Sequence, residues 1–278
     1  MRSTIHSTMR PTTRSTIPAR AEAYSGGRPI ARLMTHIVAG YPTLAESEKI
    51  AHAMIEGGVN FLEIQIPFSD PVADGPTILQ ANQKALENGV TPDDCFALMQ
   101  KLTAKTDTPI LFMTYYNIVF AHGVERFCKR AKAAGCWGLI VPDMPIDEER
   151  HEHYLKTCKK HGLHAIQVIS PITPERRLKR LGKVASGFVY CVSHFGTTGS
   201  KTIFDAKLES YLKKVKKHIK VPIALGFGIS TPTEVKRSQK KADIAVVGSH
   251  LIRCYEKEGL KGVSDFLKSV SLNLTPKA

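Results

Sequence analysis

The sequence lacks the features of a membrane protein, a disulfide-stapled protein and a zinc protein. No window of the 278 residues approaches the roughly 18 uninterrupted apolar residues that a membrane-spanning helix needs. The six cysteines are scattered and form no C-x-x-C pair, which argues against a disulfide framework and against a zinc site. We therefore predict no metal site, no membrane partner, and free thiols in a reducing, cytoplasmic compartment.

Acidic residues are too few to balance the basic ones. The net charge of +14 comes from 39 Lys and Arg against 25 Asp and Glu, an excess that is also found in nucleic-acid-binding proteins. The lysines cluster at 213–220 and 236–241, in predicted amphipathic helices, and no aromatic-rich basic stripe accompanies them. We interpret these clusters as solvated helix faces and expect no nucleic-acid partner.

Acidic residues are scarcest at the N-terminus. Residues 1–27 hold only Glu22 among four arginines and many serines and threonines. This composition resembles a transit peptide and equally resembles an unstructured extension. We expect a disordered or weakly ordered basic arm over 1–27, followed by a single domain over 28–278.

Helix signals alternate with short apolar, β-branched runs from Arg28 onward. Thr43 and Glu46 have the spacing of a capping box, and prolines follow Thr91 and Thr231 at predicted helix starts. Alternation of strands and helices implies parallel pairing, and eight units imply a (β/α)₈ barrel, the TIM-barrel fold. The alternative, a doubly wound open sheet, would want a G-x-G-x-x-G motif that is missing after the first strand. The candidate strands are His36–Ala39, Phe61–Ile66, Ile110–Thr114, Gly138–Val141, Ala165–Ile169, Phe188–Val192, Ile223–Leu225 and Ile244–Val247.

The most informative stretch covers residues 61–76. It begins as a strand with a carboxylate, Glu63, among apolar residues, and it breaks at Pro67 into a loop that carries Asp74. A carboxylate inside a buried strand is costly unless it is paired, neutralised or functional. The apolar residues that flank Glu63 predict an apolar environment for it, whereas a polar loop would keep Asp74 ionised. Two carboxylates in different environments suggest an acid/base pair.

Glycines at the ends of the last two strands predict a phosphate site. Gly226 and Gly228 follow the seventh strand, Gly248 and Ser249 follow the eighth, and Gly199 could close a third side. Glycine lets backbone N–H groups approach an anion, and a helix N-terminus adds partial positive charge. In a barrel of this type the loops after strands 7 and 8 are the usual phosphate site.

Together these segments resemble the tryptophan synthase alpha chain family. The match runs from about Ala39 to Ser249; residues 67–76 form a highly specific signature, supported by segments at 115–117, 141–145, 196–199 and 226–230. The resemblance implies a lyase of L-tryptophan biosynthesis that splits indole-3-glycerol phosphate into indole and glyceraldehyde 3-phosphate without a cofactor. It also implies a pyridoxal-phosphate-dependent β subunit as partner in an αββα heterotetramer, with indole passing to β through a tunnel.

The resemblance assigns roles to individual residues. Glu63 corresponds to the general acid/base, Asp74 to the carboxylate that accepts a hydrogen bond from the indole N–H, and Tyr190 to a tyrosine near the reacting group.

The remaining site residues are assigned in the same way. Tyr115, Asn117 and Phe227 correspond to substrate-binding positions, and Asp143 with Thr198 corresponds to a pair that holds the loop after strand 6 over the substrate. Closure of such a loop excludes water.

Several positions depart from the family's pattern, among them Phe188, which stands where a tyrosine is frequent, and His194, which precedes the Gly196 loop where other members vary. Gln65 stands where glycine is common, and it could hydrogen-bond Glu63 or occupy the barrel interior. His36 stands where an apolar residue often packs against the indole. The alternative function is a weakly catalytic or non-catalytic activator of a β subunit.

Overall fold

The fold is a closed barrel of eight parallel strands. A computed structural model describes residues 32–192, 204–226 and 228–274, so the predicted arm lies outside the described residues. Each strand pairs with the next, and β8 pairs with β1 to close the barrel, which confirms the predicted architecture. The strands are β1 (Arg32–Val38), β2 (Phe61–Gln65), β3 (Ile110–Met113), β4 (Gly138–Ile140), β5 (His164–Ile169), β6 (Val189–Val192), β7 (Ile223–Gly226) and β8 (Ile244–Val247).

Helices occupy the connections between the strands. A short 3₁₀ helix at Ile146–Glu148 precedes α6, and the last helix is broken at Gly259. Among the described helices, none combines the length and the apolar character needed to cross a membrane. The α-helices are α1 (Leu44–Glu56), α2 (Pro76–Glu87), α3 (Pro92–Thr103), α4 (Tyr116–His122), α5 (Val124–Ala133), α6 (Glu149–Glu152), α7 (Tyr154–Lys160), α8 (Glu175–Val184), α9 (Ala206–His218), α10 (Pro232–Gln239) and α11 (Ser249–Leu274).

The predicted helix starts are confirmed, with one difference in detail. Thr91 and Thr231 each form a complete capping box at the start of α3 and α10. Thr43 accepts a hydrogen bond from the Glu46 N–H at 3.2 Å, but the Glu46 carboxylate binds Lys49 at 2.7 Å. The start of α1 is therefore fixed by the threonine half of the motif.

The strand β2 separates the two apolar layers of the barrel. Leu62 and Ile64 belong to the large core between the strands and the helices, whereas Phe61 belongs to the cluster inside the barrel. Because side chains alternate along a strand, Glu63 and Gln65 share the interior side with Phe61. The apolar neighbours of Glu63 in the sequence thus face the helices, and other elements form its surroundings.

The basic helices have the amphipathic character that the sequence predicts. In α9 the apolar Leu212 and Val215 are buried, and in α10 Val235 is buried, while most of the clustered lysines lie on the exposed sides. The lysines are therefore solvated helix faces, as interpreted from the sequence.

Candidate active site

A cavity opens at the carboxyl ends of the strands. Its volume is about 750 Å³ including the open mouth, which is within the usual range of small-molecule sites. Within the described ranges, no three His, Cys, Asp or Glu side chains converge as a metal-binding group. The cavity brings together several of the residues singled out in the sequence: Glu63, Asp74, Tyr190, Gly228, Gly248 and Ser249, with His36 beside them.

Glu63 lies on a strand that forms part of the wall of this cavity. It is in the interior row of β2 and only 4% exposed. Its Oε1 is 3.2 Å from Nδ1 of His36, its register partner on β1. Of the polar atoms in the described part of the chain, none lies within hydrogen-bonding distance of the buried Oε2. The carboxylate is therefore held by one oxygen, and the other is left for a ligand.

Asp74 enters the cavity from the loop between β2 and α2. A turn in which the Asp74 N–H donates to the Pro71 carbonyl at 2.9 Å folds the loop back over the barrel. Its Oδ2 accepts one hydrogen bond from Gln65 Nε2 at 2.6 Å and another from the Tyr115 hydroxyl at 3.1 Å. The carboxylate is fixed by neutral donors from β2 and from the end of β3.

The environment of Asp74 differs from the polar loop that was predicted. Asp74 is only 3% exposed, and burial raises the pKa of its carboxyl above the usual value. The hydrogen bond from Gln65, the charge of His36 and the hydrogen bond from Tyr115 oppose that rise in pKa, because each favours the ionised form. Of the two possibilities left open for Gln65, a bond to Glu63 is not formed; its amide binds Asp74 inside the barrel.

Tyr115 and Asn117 occupy different environments although they are two residues apart. The ring of Tyr115 is buried and stacks on Phe68 with ring centres 5.2 Å apart, and its hydroxyl also accepts a hydrogen bond from the Ala73 N–H at 3.1 Å. Asn117 lies on the exposed side of α4 and does not line the cavity. Tyr115 thus holds the loop that carries Asp74, and the substrate-binding role of Asn117 stays a prediction.

Tyr190 and the glycine at the end of β7 fit together. A Cβ atom at Gly226 would lie 2.5 Å from the Tyr190 hydroxyl, a distance too short for any side chain. Burial raises the pKa of Tyr190 well above its usual value, and the negative charges of Glu63 and Asp74 add to the effect. Gly226 therefore makes room for a neutral tyrosine in the cavity, which is a reason for glycine that the sequence did not reveal.

The other glycines at this end have different constraints. Gly228 adopts a φ of +71°, a left-handed conformation that favours glycine. Gly248 lies against β1, where an added Cβ would be 3.4 Å from the Cβ of His36. Ser249 is the first residue of α11, which follows β8, and Thr231 is the N-cap of α10, which follows β7. The helices α10 and α11 thus begin soon after the ends of β7 and β8.

Asp143 acts at the start of a helix. Its carboxylate accepts hydrogen bonds from the Tyr116 N–H at 2.9 and 3.0 Å, which caps α4, and burial raises the pKa of Asp143 above its usual value. Its predicted partner Thr198 lies outside the described residues, as do Gly199 and Phe227.

Comparison with known proteins decides the family. A sequence model described as the tryptophan synthase alpha chain matches residues 27–273. The chain belongs to the tryptophan synthase alpha chain family. The tryptophan synthase alpha chain of Syntrophotalea carbinolica is 45% identical over 238 residues, which cover 86% of this chain and 93% of that one. The alpha chain of Desulforapulum autotrophicum is 44% identical over 239 residues, which cover 86% of this chain and 94% of that one.

Solved structures agree with this assignment to the tryptophan synthase alpha chain family. A chain of Mycobacterium tuberculosis tryptophan synthase superposes with a TM-score of 0.82 at 30% identity, covering 88% of this chain and 93% of that chain. A mutant tryptophan synthase alpha-subunit from Pyrococcus furiosus superposes with a TM-score of 0.79 at 30% identity, covering 87% of this chain and 98% of that chain. The predicted family and TIM-barrel fold are therefore confirmed, and so is the predicted lyase function in tryptophan biosynthesis, because cleavage of indole-3-glycerol phosphate is the family's role.

Proposed function

We propose that Glu63 and Asp74 divide the work of cleaving indole-3-glycerol phosphate in this barrel. The observation that carries the proposal is the presence of two buried carboxylates, from β2 and from the loop after it, in the lining of one cavity that Gly228, Gly248 and Ser249 also line. The glycines and the N-termini of α10 and α11 suit the phosphate end of the substrate, and the proposal puts the indole next to the carboxylates.

The reaction needs a proton at one atom and the removal of a proton at another. Glu63 donates a proton to indole C3, so that C3 becomes tetrahedral and the bond to the glycerol carbon can break. The glycerol hydroxyl then loses its proton to the Glu63 carboxylate as the aldehyde forms. One proton leaves Glu63 and one returns, so the enzyme ends the cycle in its starting state.

Asp74 has the complementary task in the proposal. Protonation of C3 leaves positive charge on the indole nitrogen, and a carboxylate that accepts a hydrogen bond from the N–H stabilises that charge. Gln65 and Tyr115 hold Asp74 Oδ2 in place, so no reorganisation of the carboxylate is needed during the reaction. Tyr190, kept neutral by its raised pKa, positions the reacting end of the substrate.

The other predicted residues complete the proposed site. Gly199 joins Gly226 and the cavity-lining glycines around the phosphate, Asn117 and Phe227 contact the substrate, and Asp143 anchors a closing loop through Thr198. The Tyr116 N–H donates to the Asp143 carboxylate and fixes its position after β4.

A β subunit of tryptophan synthase is the proposed partner, in an αββα heterotetramer. Val72 and Ile172 lie in the loops that directly follow β2 and β5, and Phe120 lies in the short helix α4 that begins soon after β3. These apolar side chains, exposed by 77%, 64% and 64%, are therefore near the carboxyl ends of the strands, where the cavity opens. Apolar side chains exposed at one end of a soluble domain are typical of an interaction surface. A partner bound there would cover the cavity mouth and could receive indole directly.

Indole release from indole-3-glycerol phosphate, measured with and without added β subunit, tests the proposed chemistry. We expect the wild-type chain to release indole and Glu63→Gln to lose roughly 10²–10⁴-fold in rate, the usual contribution of a general acid/base. The exposed Glu87→Gln is the matched control, with unchanged rate. Near-wild-type indole release by Glu63→Gln would disprove the assignment, and a wild-type chain that only stimulates β would establish the alternative, a non-catalytic activator.

Phe120→Asp tests the proposed docking surface. It should weaken the stimulation by β while the basal indole release of the isolated chain is unchanged, because a buried charge at an apolar interface is costly. Val184→Asp is the control, since Val184 is also exposed but ends α8 at the opposite end of the barrel. Equal stimulation of both variants would place the docking surface elsewhere.

A further inference from the structure

An imidazole lies beside the carboxylate that moves protons. His36 on β1 and Glu63 on β2 are register partners in neighbouring strands, so both side chains point to the same side of the sheet. Their Nδ1 and Oε1 atoms are 3.2 Å apart, and the two residues are 5% and 4% exposed. An ionisable pair with this burial meets bulk water only through the cavity, so its members exchange a proton mainly with each other or with a ligand bound there.

The ring of His36 reaches from the carboxylate toward the phosphate end. A Cβ atom at Gly248 would lie 3.4 Å from His36 Cβ and 3.8 Å from His36 Cδ2, so the imidazole edge that carries Nε2 borders the end of β8. Among the described residues, no polar atom partners the buried Nε2 of His36 or the buried Oε2 of Glu63. A buried polar atom without a partner is costly, and both atoms belong to residues that line the cavity.

We infer that His36 is a positioning residue for Glu63, which orients the carboxylate through Nδ1 and shares the transferred proton with it. The inference rests on the proposed function of Glu63. In the resting pair the imidazolium carries protons on Nδ1 and Nε2, and the Nδ1 proton is shared with Oε1 of the Glu63 carboxylate. This shared proton passes through Glu63 to indole C3 and leaves a neutral imidazole with its proton on Nε2, and the glycerol hydroxyl returns one proton to the pair. The count of protons is balanced over the cycle, and no further reactant is needed.

The charges around His36 support the pairing. Burial lowers the pKa of the imidazole, but the charge of Glu63, the hydrogen bond to Glu63 and the charge of Asp74 outweigh it, so the pKa of His36 is raised above 6.5. Tyr190 on β6 is the other titratable group that lines the cavity, and its raised pKa keeps it neutral. The proton on His36 therefore depends chiefly on Glu63.

The groups behind β1 do not compete for that proton. Tyr41 and Tyr255 border a small cavity that His36 also borders. Burial raises the pKa of Tyr41 to about 12, and a hydrogen bond to Glu46 raises the pKa of Tyr255 to about 12, so both are neutral near pH 7. On the other side, Gly248 brings no side chain toward the imidazole.

Titration of His36 by NMR tests the coupling without any catalysis. In the wild-type chain we expect His36 to titrate above 6.5, and in Glu63→Gln below 6.5, because burial then acts without the carboxylate. His164 is the internal control: it packs on Trp137, burial lowers its pKa, and it should not respond to Glu63→Gln. A His36 titration that is the same in both proteins overturns the inference.

Two substitutions of His36 test its effect on the reaction. His36→Asn keeps a side-chain N–H donor near the position of Nδ1, whereas His36→Phe removes it. We expect kcat to fall roughly 10-fold in His36→Asn and roughly 100-fold in His36→Phe, with KM within about threefold, since orientation rather than binding is lost. The pH profile of kcat should lose the ionisation of His36 in both variants.

Several outcomes separate this inference from the proposed function. Wild-type kcat in His36→Phe, or a pH profile unchanged in both variants, overturns the role of His36. His164→Asn, far from the cavity at the start of β5, should leave kcat and its pH profile unchanged. Absence of indole release by the wild-type chain would overturn the proposed function, while the NMR titration would still decide whether His36 and Glu63 share a proton.

Discussion

The two carboxylates of the cavity have almost the same burial but different partners. Glu63 is on a strand in the barrel wall and contacts an imidazole, which can carry a proton. Asp74 is on a loop and is held by the amide of Gln65 and the hydroxyl of Tyr115. An amide does not titrate, and burial raises the pKa of Tyr115 far above neutral pH, so neither partner exchanges a proton with Asp74.

This difference shows how one cavity can give two carboxylates separate tasks. Burial alone does not separate them, because Glu63 is 4% and Asp74 is 3% exposed. The partner decides: a titratable neighbour makes proton exchange possible, and fixed neutral donors make a carboxylate a stationary acceptor. Acid and base roles in enzymes are set by environment in this way.

Asp74→Asn gives the largest effect among the tests of this comparison. We expect a loss of roughly 10²-fold in kcat, because the developing charge on the indole nitrogen loses its acceptor. The same change should raise the free energy of unfolding by about 1 kcal/mol at neutral pH. The sign follows from the raised pKa of Asp74: the folded state favours the protonated carboxyl, so its ionised form costs stability once the pH exceeds the folded-state pKa.

Indole release checks the predicted fall in kcat of Asp74→Asn, and urea unfolding of the same protein checks the predicted rise in its free energy of unfolding. Asp70→Asn is the matched control, since it makes the same substitution in the same loop at an exposed position. It should change neither the free energy of unfolding nor the basal kcat. A less stable Asp74→Asn would mean that the hydrogen bonds from Gln65 and Tyr115 outweigh the cost of burial.

Gln65→Leu should have an intermediate effect on kcat. It removes the 2.6 Å bond to Asp74, and a buried hydrogen bond to a charged group contributes about 1.5–3 kcal/mol, so we expect kcat to fall roughly 10-fold. Tyr115→Phe removes the longer bond of 3.1 Å and should lower kcat less, by roughly threefold. Steady-state kinetics of the two variants would contradict this ranking if the phenylalanine variant were the slower enzyme.

The fold could be predicted from the sequence because its signals are local. Most strands contain short apolar, β-branched runs, and the starts of α3 and α10 follow from Thr91 and Thr231, which act within three residues. Eight strand–helix units with parallel pairing then close into a (β/α)₈ barrel. The incomplete capping box at Thr43 shows the limit of such local prediction, because the Glu46 carboxylate accepts hydrogen bonds from Lys49 and Tyr255 instead of the Thr43 N–H.

The partners in the site could not be predicted, because they depend on register between strands. The sequence places apolar residues on both sides of Glu63, but these face the helices, and its actual neighbour is His36, 27 positions earlier. Gln65 lies two residues from Glu63 yet binds Asp74, since the loop folds back over the barrel. Only the pairing of β1 with β2 and the turn at Pro71 bring these groups together.

The smallest effect concerns stability and pH in the pair of His36 and Glu63. The pKa of His36 is raised on folding, so its contribution to stability is complete below 6.5, the unfolded-state value, and is lost as the pH rises through the higher folded-state value. Glu63→Gln removes the cause of the rise. The wild-type chain should therefore exceed the variant in free energy of unfolding by about 1 kcal/mol at about pH 5.5, and by less at about pH 8.5.

Glu87→Gln, at an exposed helix position, should show no such dependence. A gap between wild type and Glu63→Gln that stays constant across this range would mean that Glu63 holds His36 as a neutral hydrogen-bond partner, and the distinction between the two carboxylates would then rest on geometry alone.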